Sequence, residues 1–400
     1  MRIAHVITRM ILGGAQENTL LSCEGSMRSH GAEVLLITGP AIGPEGSLIE
    51  RGRAGGVPIE IVPQLRRSIH PWRDWRAYLR IKRILREFRP DVVHTHSAKG
   101  GILGRAAAAA LGVPAIVHTV HGAPFHLYQS PLAREFARRC ERWAARRCHA
   151  IVSVSDAMTE LMVTGGVAPR EKFTTIYSGL EVEPFLAAEA SRDAARAELG
   201  YRPEHLVIGK IARLFALKGH EFLIRAAPAI VAAWPNARFL LVGDGVLRRE
   251  LESQVARAGL ADHFQFLGLV PPERIPRLIA AMDIVVHVSL REGLARALVQ
   301  ALLAGRPVVS YDIDGAREVV RDGETGFLVQ PRSIDGIVGV VSRLAADSRL
   351  RARMGESRRR ELADRFRQER MVDQLHCLYE RLLAASASPR ASVVGERRGD

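Results

Sequence analysis

Short β-branched runs alternate with helical stretches along almost the whole chain, and the series starts afresh once. RIAHVIT, EVLLITG, PIEIVP, DVVHTH, AIVHTVH, AIVSVS and FTTIYSG form the first set. LVIGKIARL, RFLLVGDG, FQFLG, DIVVHVS, PVVSYD and GFLV form the second. Helical segments such as 99–111 and 218–233 lie between them. Strands that are apolar on both faces need cover on both sides, and alternation with helices supplies it, so the pattern specifies parallel sheets. Two series predict two doubly wound α/β domains, and 400 residues exceed what one ordinary core holds. The joint is expected in EVEPFLAAEASRD (181–193), with a last helical stretch over 361–385 and a disordered tail, SASPRASVVGERRGD, that has little apolar content.

Hydrophobic residues make up 47% and charged residues 25%, a soluble profile. No apolar run reaches the roughly 18–20 residues that span a bilayer. MRIAHVITRM reads as a strand rather than a signal peptide. Cys23, Cys140, Cys148 and Cys377 have no zinc-type pairing and are expected to be reduced thiols of a cytoplasmic protein. The formal charge is +14, which favours an anionic partner. LRRSIHPWRDWRAYLRIKRILREFRP (65–90) and LAREFARRCERWAARRC (132–148) have the look of basic amphipathic helices with interfacial aromatics. They predict contact with an anionic membrane surface, and a solvated arginine-rich face is the plain alternative. No nucleic-acid-binding motif accompanies the charge.

Open parallel sheets bind ligands beyond the carboxyl ends of their strands, so polar groups there are the candidates. Gly13 and Gly14 follow the first strand and open a helix, as a ligand-approach loop or a tight turn would. His118 and His121 of HTVHG, and His94 and His96 of HTHSAKGG, lie at two strand ends, with Lys99 opening the next helix. Such histidines could bond a sugar or simply be satisfied in the core. No carboxylate or cysteine joins them at a ligand spacing, so no metal site is expected. Arg213 ends a strand and Lys218 precedes a helix, where a cation opposes the helix dipole. The pair suits a diphosphate clamp, or an exposed loop. Gly243-Asp244-Gly245 is a second approach loop, or a turn capped by Asp244. Glu292, Gly293 and Leu294 stand at the mouth of an apolar helix that carries Gln300; a buried amide without a partner would cost about 1–3 kcal/mol.

Together these residues resemble the retaining glycosyltransferases of family 4. The resemblance implies the GT-B fold: two Rossmann-like domains facing a cleft, with a C-terminal helix crossing back to the first. It places an acceptor-binding domain at 1–183, a nucleotide-sugar-binding domain at 184–365, the returning helix at 366–385 and the tail at 386–400. It implies catalytic roles for His121, Arg213, Lys218 and Glu292. Gly13, Gly14, Gly243, Asp244, Gly293, Leu294 and Gln300 would hold the donor, and His96 and Lys99 would lie on the acceptor side. The GAREVV..GETGFLV run (315–329) is also typical. Three positions depart from the family pattern: Gln300 stands for the second Glu of an E-x7-E motif, Ser178 for an Asn, and Asp314 for a Gly. Asp312-x-Asp314 mimics a metal-binding pair that belongs to a different glycosyltransferase fold. The implied reaction moves a sugar, with retention and without metal or other cofactor, from a nucleotide diphosphate sugar, UDP favoured over GDP, to a hydroxyl of a lipid-linked or cell-surface glycan. The enzyme would sit peripherally on the inner face of the cytoplasmic membrane. A nucleotide-sugar epimerase of the same fold and a basic nucleic-acid-binding protein are the alternatives.

Overall fold

The computed structural model describes residues 1–43 and 46–387. Its first sheet has seven parallel strands: β1 (Arg2–Ile7), β2 (Glu33–Thr38), β3 (Ile59–Ile61), β4 (Val92–His96), β5 (Ala115–Val120), β6 (Ala150–Ser153) and β7 (Phe173–Thr175), in the order β3-β2-β1-β4-β5-β6-β7. The second has six: β8 (Leu206–Ile211), β9 (Ala237–Val242), β10 (Phe264–Gly268), β11 (Ile284–His287), β12 (Val308–Tyr311) and β13 (Gly326–Val329), in the order β10-β9-β8-β11-β12-β13. Strand order reverses between β1 and β4 and again between β8 and β11, the places where doubly wound sheets open a crevice.

The two-sided apolar pattern has the consequence its sequence demands. Ala4, Val6 and Val93 pack into one core layer while Ile3, Ile7 and Val92 pack into another on the opposite face. Each fully buried aliphatic side chain contributes about 1.5–3 kcal/mol, so helices on both faces are held far more firmly than propensity alone would hold them.

The chain leaves the first domain and returns to it along paired backbone. Leu180 N donates to Phe366 O at 2.8 Å, and Gln368 N donates to Leu180 O at 3.0 Å. The last helix, Gln368–Ala387, then lies on the first domain. Its Met371, Val372, Leu375, Leu378 and Tyr379 complete the layer that holds Ile3, Ile7 and Leu20. A side chain at Gly25 would collide with Val372, which is why the contact is so close. This helix runs two residues past the expected end at 385, so Ser386 and Ala387 are helical; the rest of the expected tail lies outside the described residues. All four cysteines are free. Among the described residues no helix is long and apolar enough to cross a membrane.

Candidate active site

The carboxyl ends of the two sheets face each other. Loop 291–294, after β11, touches loop 121–123, after β5: a Cβ on Gly293 would collide with the His121 carbonyl, and Arg291 hydrogen-bonds the Ala123 carbonyl. Ser155 Oγ donates to Gly293 O at 3.1 Å. Glu318 accepts the backbone N–H groups of Asp156 and Ala157, both at 2.9 Å, at the start of a first-domain helix. Arg296 reaches across to Glu17 Oε2 (3.0 Å) and Gly179 O (2.9 Å). Gly14 makes room for it, since a Cβ there would lie 2.7 Å from Arg296 Cδ.

On the second-domain wall Lys218 Nζ donates to Glu292 Oε1 at 2.6 Å, and His287 Nε2 donates to the same oxygen at 3.1 Å. Burial pushes the Glu292 carboxyl up, but the Lys218 charge and the two hydrogen bonds outweigh it and hold the group well below the usual range. Asp314 Oδ2 accepts the Glu292 N–H at 2.7 Å. Asp314 has φ 46°, a left-handed conformation that glycine adopts freely and aspartate tolerates. Asp312 instead pairs with Arg317, so the two carboxylates of the Asp-x-Asp sequence have separate partners. Arg213 is half-buried on the same rim, its guanidinium 5.1 Å from the Phe215 ring, and its carbonyl is bonded by His220 Nε2 at 3.1 Å.

Gln300 is half-buried, not enclosed. The helix Arg296–Leu303 buries Ala297, Leu298, Val299, Ala301, Leu302 and Leu303 and leaves Arg296 and Gln300 partly open. These two are four residues apart and share a face, the one from which Arg296 crosses the gap. Among the described residues the Gln300 amide has no side-chain partner. Asp244 does not cap the following helix: it accepts its neighbour's Gly245 N–H at 2.7 Å and pairs with Arg248 at 3.1 Å. Gly243 has φ 134°, and a Cβ there would strike the Ala212 carbonyl.

On the first-domain wall His121 Nε2 bonds His96 Nδ1 at 3.1 Å, and His96 Nε2 bonds His5 Nδ1 at 3.0 Å. Burial, then the nearby Arg296 charge, pushes His121 down to about 3. His96 is wholly buried with both ring nitrogens engaged, so it stands behind His121 and not on an acceptor surface. Lys99 is also committed elsewhere: its Nζ donates to Asp74 (2.7 and 2.8 Å) and to Ser68 O (2.5 Å), tying two helices together. No carboxylate stands at a ligand spacing from the histidines along the sequence, but the fold brings one close. Glu141, from the helix Pro131–Ala145, comes within 3.5 Å of His118 Nε2 and pairs with buried Arg105 at 2.6 Å. His5, His94 and His96 bring nitrogens within 4.8 Å of one another. Strand pairing creates these neighbours, with His5 opposite His94 across β1 and β4, so spacing along the chain could not reveal them.

Sequence reasoning also missed Lys210. It is wholly buried on β8, its Nζ has no partner, and burial pushes it down to about 7. A lysine inside an otherwise apolar strand was the available signal.

Comparison with known proteins fits this arrangement. Residues 191–361 match the model of glycosyl transferases group 1, and residues 13–179 match that of the glycosyl transferase 4-like domain. The UDP-Gal:alpha-D-GlcNAc-diphosphoundecaprenol alpha-1,3-galactosyltransferase of Escherichia coli is 28% identical over 382 residues, covering 95% of this chain and 96% of that one. The alpha-D-kanosaminyltransferase of Streptomyces kanamyceticus is 30% identical over 284 residues, 68% of this chain and 72% of its own. Among solved structures, HepE of Anabaena in complex with UDP and glucose superposes with a TM-score of 0.80 at 22% identity, covering 95% and 99% of the two chains. Two facing parallel sheets, both family models and relatives across nearly the full length lead to one conclusion: this chain belongs to the family 4 glycosyltransferases of GT-B fold and uses a nucleotide sugar.

Proposed function

We propose that the chain moves a sugar from a UDP-sugar to a hydroxyl of a lipid-linked or cell-surface glycan, with retention and without a metal ion. The observation that carries this reading is the meeting of the His121 and Glu292 loops across the gap, which sets the Lys218–Glu292 pair opposite His121. Arg213 and Lys218 lie where a departing diphosphate would gather charge, and fixed cations there lower the barrier electrostatically. Glu292 is held ionised and its basicity is lowered by Lys218 and His287, which both bond Oε1 and leave Oε2 for the substrate. It orients the transferred sugar by hydrogen bonds. It is poorly suited to form a covalent sugar ester, so the acceptor attacks from the face the diphosphate leaves, and the diphosphate takes the acceptor proton. His121 is neutral and serves as a hydrogen-bond partner. Gln300 bonds the ribose hydroxyls through an amide that both donates and accepts.

Two observations support a membrane-bound acceptor. Ile69, Trp72 and Trp75 are exposed just before and within the first turns of the helix Pro71–Phe88, and Leu132 and Phe136 within those of Pro131–Ala145. These are the helix ends nearest the cleft, and arginines surround them, a composition suited to an anionic bilayer surface. The Escherichia coli relative's acceptor is a diphosphoundecaprenol lipid, by its name.

The test is a donor panel scored for UDP against GDP release, with and without EDTA, and with the product anomer read by NMR. UDP release unaffected by EDTA, with retained configuration, is expected. Arg213→Ala and Lys218→Ala should each lower kcat by about two decades or more. Inversion, or abolition by EDTA, overturns the corresponding part. A sugar isomerised with no acceptor present would make the protein an epimerase. Failure to float with anionic liposomes at low salt would remove the membrane.

A further inference from the structure

The imidazoles behind His121 take no part in the reaction just described, yet they form a continuous file. His5 stands on β1 and His96 on β4, on either side of the point where strand order reverses. His5 Nδ1 lies 3.0 Å from His96 Nε2, and His96 Nδ1 lies 3.1 Å from His121 Nε2. His5 and His96 are fully buried, and His5 Nε2 has no partner. Burial keeps all three rings neutral: His5 and His121 are pushed down to about 3 and His96 well below its ordinary value. His121 Nδ1 is the one nitrogen of the file left open toward the cleft.

A neutral imidazole offers one N–H and one lone pair. Two N–H···N bonds in series can therefore both form only if all three rings carry hydrogen on the same-named nitrogen. With every proton on Nε2, the His5 N–H is buried without an acceptor. With every proton on Nδ1, the inner end of the file is a bare lone pair and the outer end is an N–H aimed out of the wall. Orphaned buried N–H groups are the rarer of the two in folded proteins. The geometry points to a tautomer lock: His5 and His96 are positioning residues that make His121 present Nδ1–H to the cleft as a fixed hydrogen-bond donor. A donor there suits a sugar hydroxyl or ring oxygen and cannot withdraw a proton from one. The functional half of this inference rests on the transferase reading above; the tautomer itself does not.

The test uses full-length protein carrying ¹⁵N-histidine, with ring protonation read from long-range ¹H–¹⁵N spectra and His121 assigned through His121→Gln. His5, His96 and His121 should all show Nδ1–H and bare Nε2 between about pH 8 and pH 6. In His5→Phe the shorter file still ends on a buried nitrogen, so His96 and His121 should keep Nδ1–H. His5→Asp instead supplies an acceptor for His96 Nε2–H; the file should reverse, His121 should lose its Nδ1 hydrogen although residue 5 does not touch it, and kcat should fall about tenfold, the worth of one neutral hydrogen bond, with donor KM unchanged within about threefold. Protonated Nε2 on wild-type His121, or His121 signals unmoved by His5→Asp, would each overturn the lock. So would a stoichiometric divalent ion found by elemental analysis on His5, His94 and His96, because it would replace the hydrogen bond between His5 and His96. Should either variant fail to fold, the wild-type spectrum decides alone. A normal spectrum with no sugar transfer from any donor would instead sink the transferase reading and leave the lock standing.

Discussion

Mild acid should unfold the first domain ahead of the second. His5, His94, His96 and His118 are at most 3% exposed, and burial pushes each below its ordinary value, His5 to about 3. In the unfolded chain an imidazole titrates near 6.5. Between about pH 7 and pH 5.5 the unfolded chain binds protons that the native core refuses, so stability falls as pH falls. A ring that stays neutral in the native state loses about 1.2 kcal/mol over that interval, and four such rings lose about 5 kcal/mol together. Domains of this kind are stable by about 5–15 kcal/mol in total, so the loss is a large share. Glu24, raised by burial, opposes the trend in the first domain, one group against four; among the described residues of the second domain only two histidines, His220 and His287, are buried and lowered in the same way, and Asp314 opposes them, so that domain loses less. The assay is urea denaturation at constant ionic strength at several pH values across the interval, followed by tryptophan fluorescence. Trp72, Trp75 and Trp143 report on the first domain and Trp234 on the second. A first-domain transition that shifts by less than about 1 kcal/mol would refute the reasoning, since protons would then be reaching the histidines without unfolding.

Two further outcomes follow from Gln300 and Lys210. Gln300→Glu should lower donor KM and Gln300→Ala should raise it, each by roughly threefold to tenfold for one hydrogen bond gained in charge or lost; no change in either variant would make Gln300 structural. Lys210, pushed down to about 7, gives up its proton in the native state while the unfolded chain keeps one up to about 10.4, so stability should rise with pH across that window. Lys210→Met should flatten the rise and stabilise the protein at about pH 7 by at least about 1 kcal/mol, measured by denaturant midpoint; an unchanged slope would mean the lysine finds a partner in solution.

The fold was legible because two-sided apolar strands leave a chain few options. Each of the named strand runs became part of one sheet or the other, in shortened form where a run such as FTTIYSG contributes only Phe173–Thr175. The Lys218–Glu292 contact was half legible: both side chains were candidates, but 74 residues separate them and nothing in their spacing showed the bond. His5 escaped notice for the same reason, since 91 positions separate it from His96. The Lys99 position at a helix start gives no sign of its bond to Asp74, which sits one helix earlier. Sequence position marks what can approach the crevice; strand order decides what already has a partner there.

The paired crossing at Leu180 and Gln368 makes the second domain an insertion within the first, and this dictates an order of synthesis. A nascent first domain leaves the ribosome with Ile3, Ile7 and Leu20 uncovered, because Met371, Val372 and Leu375 that seal them are still untranslated. At about 5–20 residues per second the interval lasts roughly 10–40 s, long enough for the inserted domain to complete itself first. Tyr379 closes over His94 at 2.5 Å only once the helix Gln368–Ala387 has been made, so a message cut short before that helix would yield a chain with a finished second domain and an unsealed first one.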